Sequence, residues 1–287
     1  MLQLREKIVH AADGTALYVE DWIVQSHQAV GAVVMMHGLG EHLERYSPLV
    51  KFFTDCNLSV RTYDHRGHGK SDGVRGDVPN GEPILQDAQI IVDDFAQETG
   101  LTPILFGHSM GGLFAARFAL ENLAPLRAVI LSSPALALYM NSWQHFALKI
   151  MLKLAPGLGL PNGLQVKYLS HDAKVVQDYQ HDPLVHSRLS ARLLARMLAA
   201  IEYCQTHAQQ LHIPCCLLVA GADRLVDPQG SFQFFAQLPK SLANMQVYPS
   251  MYHEIFFEPD AQQVFDDLRE WLLERGLLHE RDLPLPK

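Results

Sequence analysis

Between the apolar run Ile104-Leu105-Phe106 and an apolar helical pattern that begins at Leu113 stand six residues, Gly107-His108-Ser109-Met110-Gly111-Gly112. A serine flanked by glycines in that setting allows the chain to pass from strand to helix through a very sharp turn, because two backbones can approach where a Cβ would otherwise intervene. Such a turn exposes the hydroxyl at the end of the sheet. It also puts the Met110 amide at the start of the helix, where the exposed helix terminus favours negative charge. Ser109 is the candidate nucleophile, and Met110 a candidate donor to a developing oxyanion. The plainer reading is a glycine-rich turn carrying an ordinary surface serine.

A turn of this kind belongs to a parallel sheet, and the flanking sequence supplies one. Asp13-Gly14, set between Ile8-Val9 and Leu17-Tyr18-Val19, predicts an antiparallel hairpin at the N-terminus. Apolar runs at Ala32–Met36, Val60–Tyr63, Ile104–Phe106 and Ala128–Leu131 then alternate with helical patterns at Leu49–Phe53, Ile84–Phe95 and Leu113–Leu120. This order predicts an α/β fold with a mostly parallel, doubly wound sheet, whose ligands belong at the carboxyl ends of the strands. From Pro134 to His212 the pattern changes to helices only, at Trp143–Leu154 and Leu189–Cys204, with a break at Pro156–Gly163 and a further helix start predicted at Asp182-Pro183. Strands resume at Cys215–Val219 and Met245–Tyr248, with helices at Ser231–Phe235 and Val264–Leu273. Residues 1–133 and 213–287 are therefore expected to form the core and 134–212 an inserted helical cap. The two prolines beyond Gly276 predict a frayed tail.

A serine hydroxyl needs a base to take its proton, and the base needs an acid to fix its tautomer and stabilise its charged form. In folds of this type the three follow in the order serine, acid, histidine. Just past the strand at Cys215–Val219 lies Asp223, with Asp227 in the same loop as a second candidate acid, and just past Met245–Tyr248 lies His253. Three separate strand ends thus point to Ser109, Asp223 and His253. A second oxyanion donor is expected from the loop after Ala32–Met36, His37-Gly38-Leu39-Gly40-Glu41-His42, where the Leu39 amide can join that of Met110. His37 and His108 are expected to order their loops, since one base suffices. Asp64-His65-Arg66-Gly67-His68-Gly69-Lys70-Ser71 is read as a structural turn.

Composition removes several functions. Lys and Arg number 23 against 31 Asp and Glu, a net charge of −8, so no global positive field is available to hold a nucleic acid. The same charge allows at most transient contact with a membrane surface. The four cysteines, Cys56, Cys204, Cys215 and Cys216, lack metal-ligand spacing, and neither a metal nor a cofactor is expected. Cysteine usage, a charged N-terminus and the lack of a long apolar run predict a cytoplasmic protein. In the predicted cap, Trp143, Phe146, Ala147, Ile150, Met151 and Leu154 lie close to one helical face and Gln144, His145, Lys149 and Lys153 on the other. That stripe can line an acyl tunnel through Trp143 and Ile150, rest on a lipid–water interface, or cover the sheet.

The elbow, the His37–His42 stretch with Arg45-Tyr46 after it, Asp64 through Ser71, and Asp182-Pro183-Leu184-Val185 together resemble the monoacylglycerol lipase and lysophospholipase branch of the α/β-hydrolases. The similarity spans nearly the whole chain. It implies Ser109, Asp223 and His253 as catalytic triad, Leu39 and Met110 as oxyanion hole, and Glu41 and Arg45 either near the polar head group or bracing the oxyanion loop. Leu39 stands where members of this branch often carry alanine, which keeps the backbone donor and narrows the pocket. The expected activity is hydrolysis of a carboxylic ester bearing a single acyl chain, a monoacylglycerol or a lysophospholipid. A serine peptidase or amidase on the same scaffold is the alternative, and a non-catalytic binding protein a third. Haloalkane dehalogenase chemistry is disfavoured because that branch carries an aspartate at the position of Ser109.

Overall fold

In the computed structural model the described residues are 2–25 and 29–280. Residues Leu2–His10 (β1) and Ala16–Val24 (β2) form the expected hairpin, and the turn is closed by Gly14, whose φ of 84° a side chain would strain. The chain continues through Gly31–Met36 (β3), Ser47–Asp55 (α1), Leu58–Tyr63 (β4), Pro83–Thr99 (α2), Pro103–His108 (β5), Met110–Glu121 (α3) and Ala128–Ser132 (β6). After the insertion come Cys215–Ala220 (β9), Pro228–Gln237 (α7), Ala243–Tyr248 (β10) and Ala261–Glu274 (α8). Among the described residues one sheet has the order β1-β2-β4-β3-β5-β6-β9-β10, antiparallel at β1–β2 and β2–β4 and parallel elsewhere.

The central strands β3, β4, β5, β6 and β9 are buried at every position because both faces are covered. Val34, Met36, Leu105, Leu131 and Leu217 face one core with α2, α3 and α7, while Val33, Met35, Phe106, Ile130 and Leu218 face a second with α1 and α8. The adjacent Cys215 and Cys216 fall on opposite faces by the same alternation, and all four cysteines are free and buried. Helix α3 is buried from Met110 to Leu120, as a helix without a polar face must be.

Between β6 and β9 lie Ser142–Leu154 (α4), Gly159–Pro161 (β7), Ala173–His181 (α5), Arg188–Ser190 (β8) and Ala191–His207 (α6). Three features differ from the sequence expectation. The stretch is not purely helical, since β7 and β8 pair antiparallel with Leu160 opposite Leu189. Helix α6 does not stand with a separate cap: Leu193, Met197, Ala200 and Cys204 join the main core, and Arg117 of α3 lies over the Tyr203 ring at 5.2 Å. Asp182-Pro183 starts no helix; it ends α5, because one Asp182 oxygen closes a turn by accepting from the Leu184 amide at 2.8 Å and the other meets His42 Nε2 at 2.8 Å. At the C-terminus Leu277 and Leu278 are buried against α8, and the two prolines expected to fray lie outside the described residues.

Candidate active site

The parallel register sets the end of β3 beside that of β5, with Met36 opposite Gly107. Ser109 follows at φ 53° and ψ −117°, a region that costs a residue with a Cβ on the order of 1–3 kcal/mol. The surroundings fix it there. Its amide donates to the Ser132 carbonyl, and its carbonyl accepts from Leu113 and Ala135, each at 3.0 Å. A Cβ on Gly111 would overlap the carbonyl oxygen of Met36, and one on Gly107 that of Gly111, so both glycines of the turn are required by close approach.

His253 and Asp223 stand at the ends of neighbouring strands, and their side chains meet. Nδ1 of His253 lies 2.6 Å from Oδ2 of Asp223, while Oδ1 of Asp223 accepts from the amides of Leu225 at 2.8 Å and Val226 at 3.1 Å. Burial disfavours the imidazolium, but the Asp223 charge and hydrogen bond outweigh it and hold His253 above the ordinary value of 6.5. Asp227, the second candidate acid, instead caps α7 by accepting from the Gln229 amide at 3.0 Å. Ser109 and His253 line the same cavity, and among the described residues no hydrogen bond joins them. Such contacts are often long before substrate binds.

The loop after β3 is built around one carboxylate. Oε1 of Glu41 accepts from the Gly38 amide and the Tyr46 hydroxyl, both at 2.7 Å, and Oε2 accepts from Arg45 Nε at 3.1 Å. This frees the next amide. Among the described residues, neither Leu39 N–H nor Met110 N–H, the latter at the first turn of α3, has a protein acceptor. Arg45 reaches on to both oxygens of Glu254 at 2.8 Å and lies over the Tyr179 ring at 4.7 Å. Glu41 thus lines the cavity and braces the loop, whereas Arg45 lies behind the lining. Burial raises Glu254 to about 6 against the pull of Arg45.

His37 and His108 are neutral supports. His37 sets Nδ1 against the Gly38 carbonyl at 2.8 Å and accepts the His65 amide on Nε2 at 2.9 Å, so neither nitrogen is free to move a proton. Burial drives His37 well below 6.5, and His108, with Nδ1 3.1 Å from Ser132 Oγ, likewise. Asp64 accepts from the amides of Leu43 at 2.8 Å and Lys70 at 2.7 Å, as a structural turn requires.

The cavity, about 340 Å³, extends from Ser109 under the insertion between Ala147, Met151, Leu160, Leu194, Met197 and Val226, with Gln144, Asn162 and Glu254 among its polar lining. Trp143 and Ile150 are not part of it. They are 70% and 40% exposed, because the residues of α4 that turn inward, Gln144, Ala147, Leu148 and Met151, lie about 100° further round the helix. Tyr179 and Glu254 also line the cavity, and nothing in the sequence pattern separated them from ordinary residues.

Residues 27–260 match the Hydrolase_4 family, described as "Serine aminopeptidase, S33". The chain belongs to this family. Within it, the similarity lies in the monoacylglycerol lipase branch of the α/β-hydrolases. The chain is 31% identical over 247 residues to a monoacylglycerol lipase of Mycolicibacterium smegmatis, covering 85% of this chain and 88% of that one. It superposes on the crystal structure of Paleococcus ferrophilus monoacylglycerol lipase with a TM-score of 0.81 at 35% identity, over 90% of this chain and 99% of that one. It is also 30% identical over 268 residues to an uncharacterized abhydrolase domain-containing protein of Dictyostelium discoideum, spanning 92% of this chain and only 28% of that longer protein. This α/β-hydrolase is an enzyme, a hydrolase. Among its described residues no helix is long and apolar enough to cross a membrane.

Proposed function

We propose that the protein hydrolyses the ester bond of a monoacyl lipid through an acyl-enzyme intermediate. The observation that carries this reading is the Asp223–His253 hydrogen bond of 2.6 Å beside an elbow serine, with Ser109 and His253 both opening on one apolar cavity. Ser109 Oγ attacks the carbonyl carbon and gives its proton to His253 Nε2. The amides of Leu39 and Met110 hold the oxygen that becomes negative. His253 then protonates the departing alcohol, takes a proton from water as the hydroxide attacks the acyl-enzyme, and returns the proton to Ser109 as the acid leaves.

The apolar lining favours an acyl chain, each buried methylene contributing about 0.8 kcal/mol. A neutral head group fits better than a phosphate, since no Lys or Arg is among the lining residues. An aminopeptidase needs a carboxylate free to receive an amino-terminus. Glu41 and Glu254 are committed to Gly38, Tyr46 and Arg45, which favours the ester. The outward face of α4, with Trp143, Phe146 and Leu154 exposed and Lys149 and Lys153 on the same helix, suits transient contact with the lipid surface that supplies such substrates.

Initial rates on monoacylglycerols, lysophospholipids, short aryl esters and aminoacyl amides, run beside Ser109→Ala, test the proposal. Monoacylglycerols are expected to turn over fastest and the alanine variant to lose nearly all activity. An alanine variant that keeps most of its rate removes the mechanism, and a preference for aminoacyl amides removes the substrate class.

A further inference from the structure

The loop that carries His253 is held by the insertion as well as by its own strand. The His253 amide donates to the Tyr168 carbonyl at 3.4 Å and the Glu254 amide to that of Leu169 at 2.8 Å, while Ser170 Oγ donates to the Phe257 carbonyl at 2.8 Å. Beside this seam lies Glu258, its side chain 2% exposed. Oε1 accepts from the amide of Tyr252, the residue before His253, at 2.6 Å, and Oε2 accepts from the amide of His171 at 3.0 Å. The His171 ring brings Nδ1 to 3.0 Å from Oε1 and stacks on the Tyr252 ring at 3.7 Å and 17°. One buried carboxylate therefore clamps an amide of the His253 loop to an amide of the insertion. The hydrolytic steps give it no task of their own.

We infer that Glu258 is a positioning residue for His253, and that it makes the aim of the imidazole at Asp223 depend on the seating of residues 168–171. This rests on the reading of His253 as the base. Charge-assisted hydrogen bonds to two amides and a ring are short and directional, so the Tyr252 amide cannot shift without breaking one of them. Leu169 lines the cavity, so an acyl chain that packs on this segment steadies the same clamp. The insertion then contributes to catalysis by aiming a group it does not itself contain.

Glu258→Gln keeps the shape but replaces an acceptor oxygen with an NH2 group facing donors. On a short soluble ester, kcat is expected to fall about tenfold with KM within twofold, since small misplacements of a base cost rate rather than binding. The acid limb of the pH profile is expected to move to lower pH as the imidazole loses its hold on Asp223. Around His253 stand Asp223, His108, Glu254 and Glu41, with Arg45 between the two glutamates, and this background is unchanged in the variant. In an Asp223→Asn background the same substitution is expected to add little. His171→Ala, at a half-exposed position that keeps its backbone amide, is expected to give a smaller effect of the same kind and decides the matter if Glu258→Gln fails to fold. A folded Glu258→Gln, or failing that a folded His171→Ala, with wild-type kcat and an unmoved acid limb overturns the inference, as does a loss confined to thermal stability. His253→Gln with full activity would instead overturn the assignment of the base, an outcome read in a protein whose Glu258 is intact.

Discussion

Arg45 donates to both carboxylate oxygens of Glu254 at 2.8 Å, and the pair joins the loop after β3 to the loop that carries His253. Because the same guanidinium holds Glu41, its removal leaves two buried carboxylates without their counter-charge. Arg45→Ala is expected to cost about 3–5 kcal/mol of unfolding free energy at neutral pH, measured by urea denaturation. Arg45→Lys, which keeps the charge and loses the fork, is expected to recover only part of it.

In the proposed mechanism His253 must be neutral to accept the Ser109 proton, and Asp223 holds it above 6.5, so kcat/KM is expected to fall as pH drops through that raised value. Asp223→Asn removes the charge responsible. The acid limb is then expected at lower pH, with the plateau reduced about 10³–10⁴-fold. A limb that stays in place in the variant would contradict the assignment.

The elbow tolerates no side chain at Gly111, where a Cβ would overlap the Met36 carbonyl. Gly111→Ala is expected to destabilise by about 1–3 kcal/mol or more, and to slow labelling of Ser109 by a fluorophosphonate because the strained turn must shift. Thermal unfolding and labelling rates read the two effects separately.

His37, His65 and His68 are buried and neutral, His65 being pushed down to about 3 by burial and by His68. Below pH 6.5 the unfolded chain protonates them and the folded chain does not, so stability falls with pH by up to about 1.4 kcal/mol per unit for each histidine. Asp64 and Glu254, raised to about 6, bind protons in the folded state below that pH and offset part of the loss. A net loss of stability, read as a lower Tm, is expected between pH 7 and pH 5. A flat Tm over that range would show the histidines to be accessible.

The two faces of α4 are expected to behave differently. Ala147→Trp fills the cavity and should abolish turnover of long-chain esters while sparing acetyl esters. Trp143→Ser together with Ile150→Ser should leave soluble esters unaffected and weaken binding to lipid vesicles, measured by co-sedimentation. Equal vesicle binding by variant and parent would remove the surface-contact role.

Much of this architecture was written locally. Hydrophobic period and the glycines at 107 and 111 determine the strand-turn-helix at Ser109, the parallel sheet and the strand ends where Asp223 and His253 emerge, because each is a property of neighbouring residues. Only tertiary structure decided what those side chains meet. It gave Asp223 to His253 and Asp227 to a helix cap, turned Trp143 outward and Ala147 inward, packed α6 into the core, ended α5 at Asp182, and set Arg45 behind the cavity lining. Several of these outcomes depend on partners far along the chain, 30 positions away for Asp223 and His253 and 209 for Arg45 and Glu254, and a local pattern cannot encode which distant group will satisfy a buried charge.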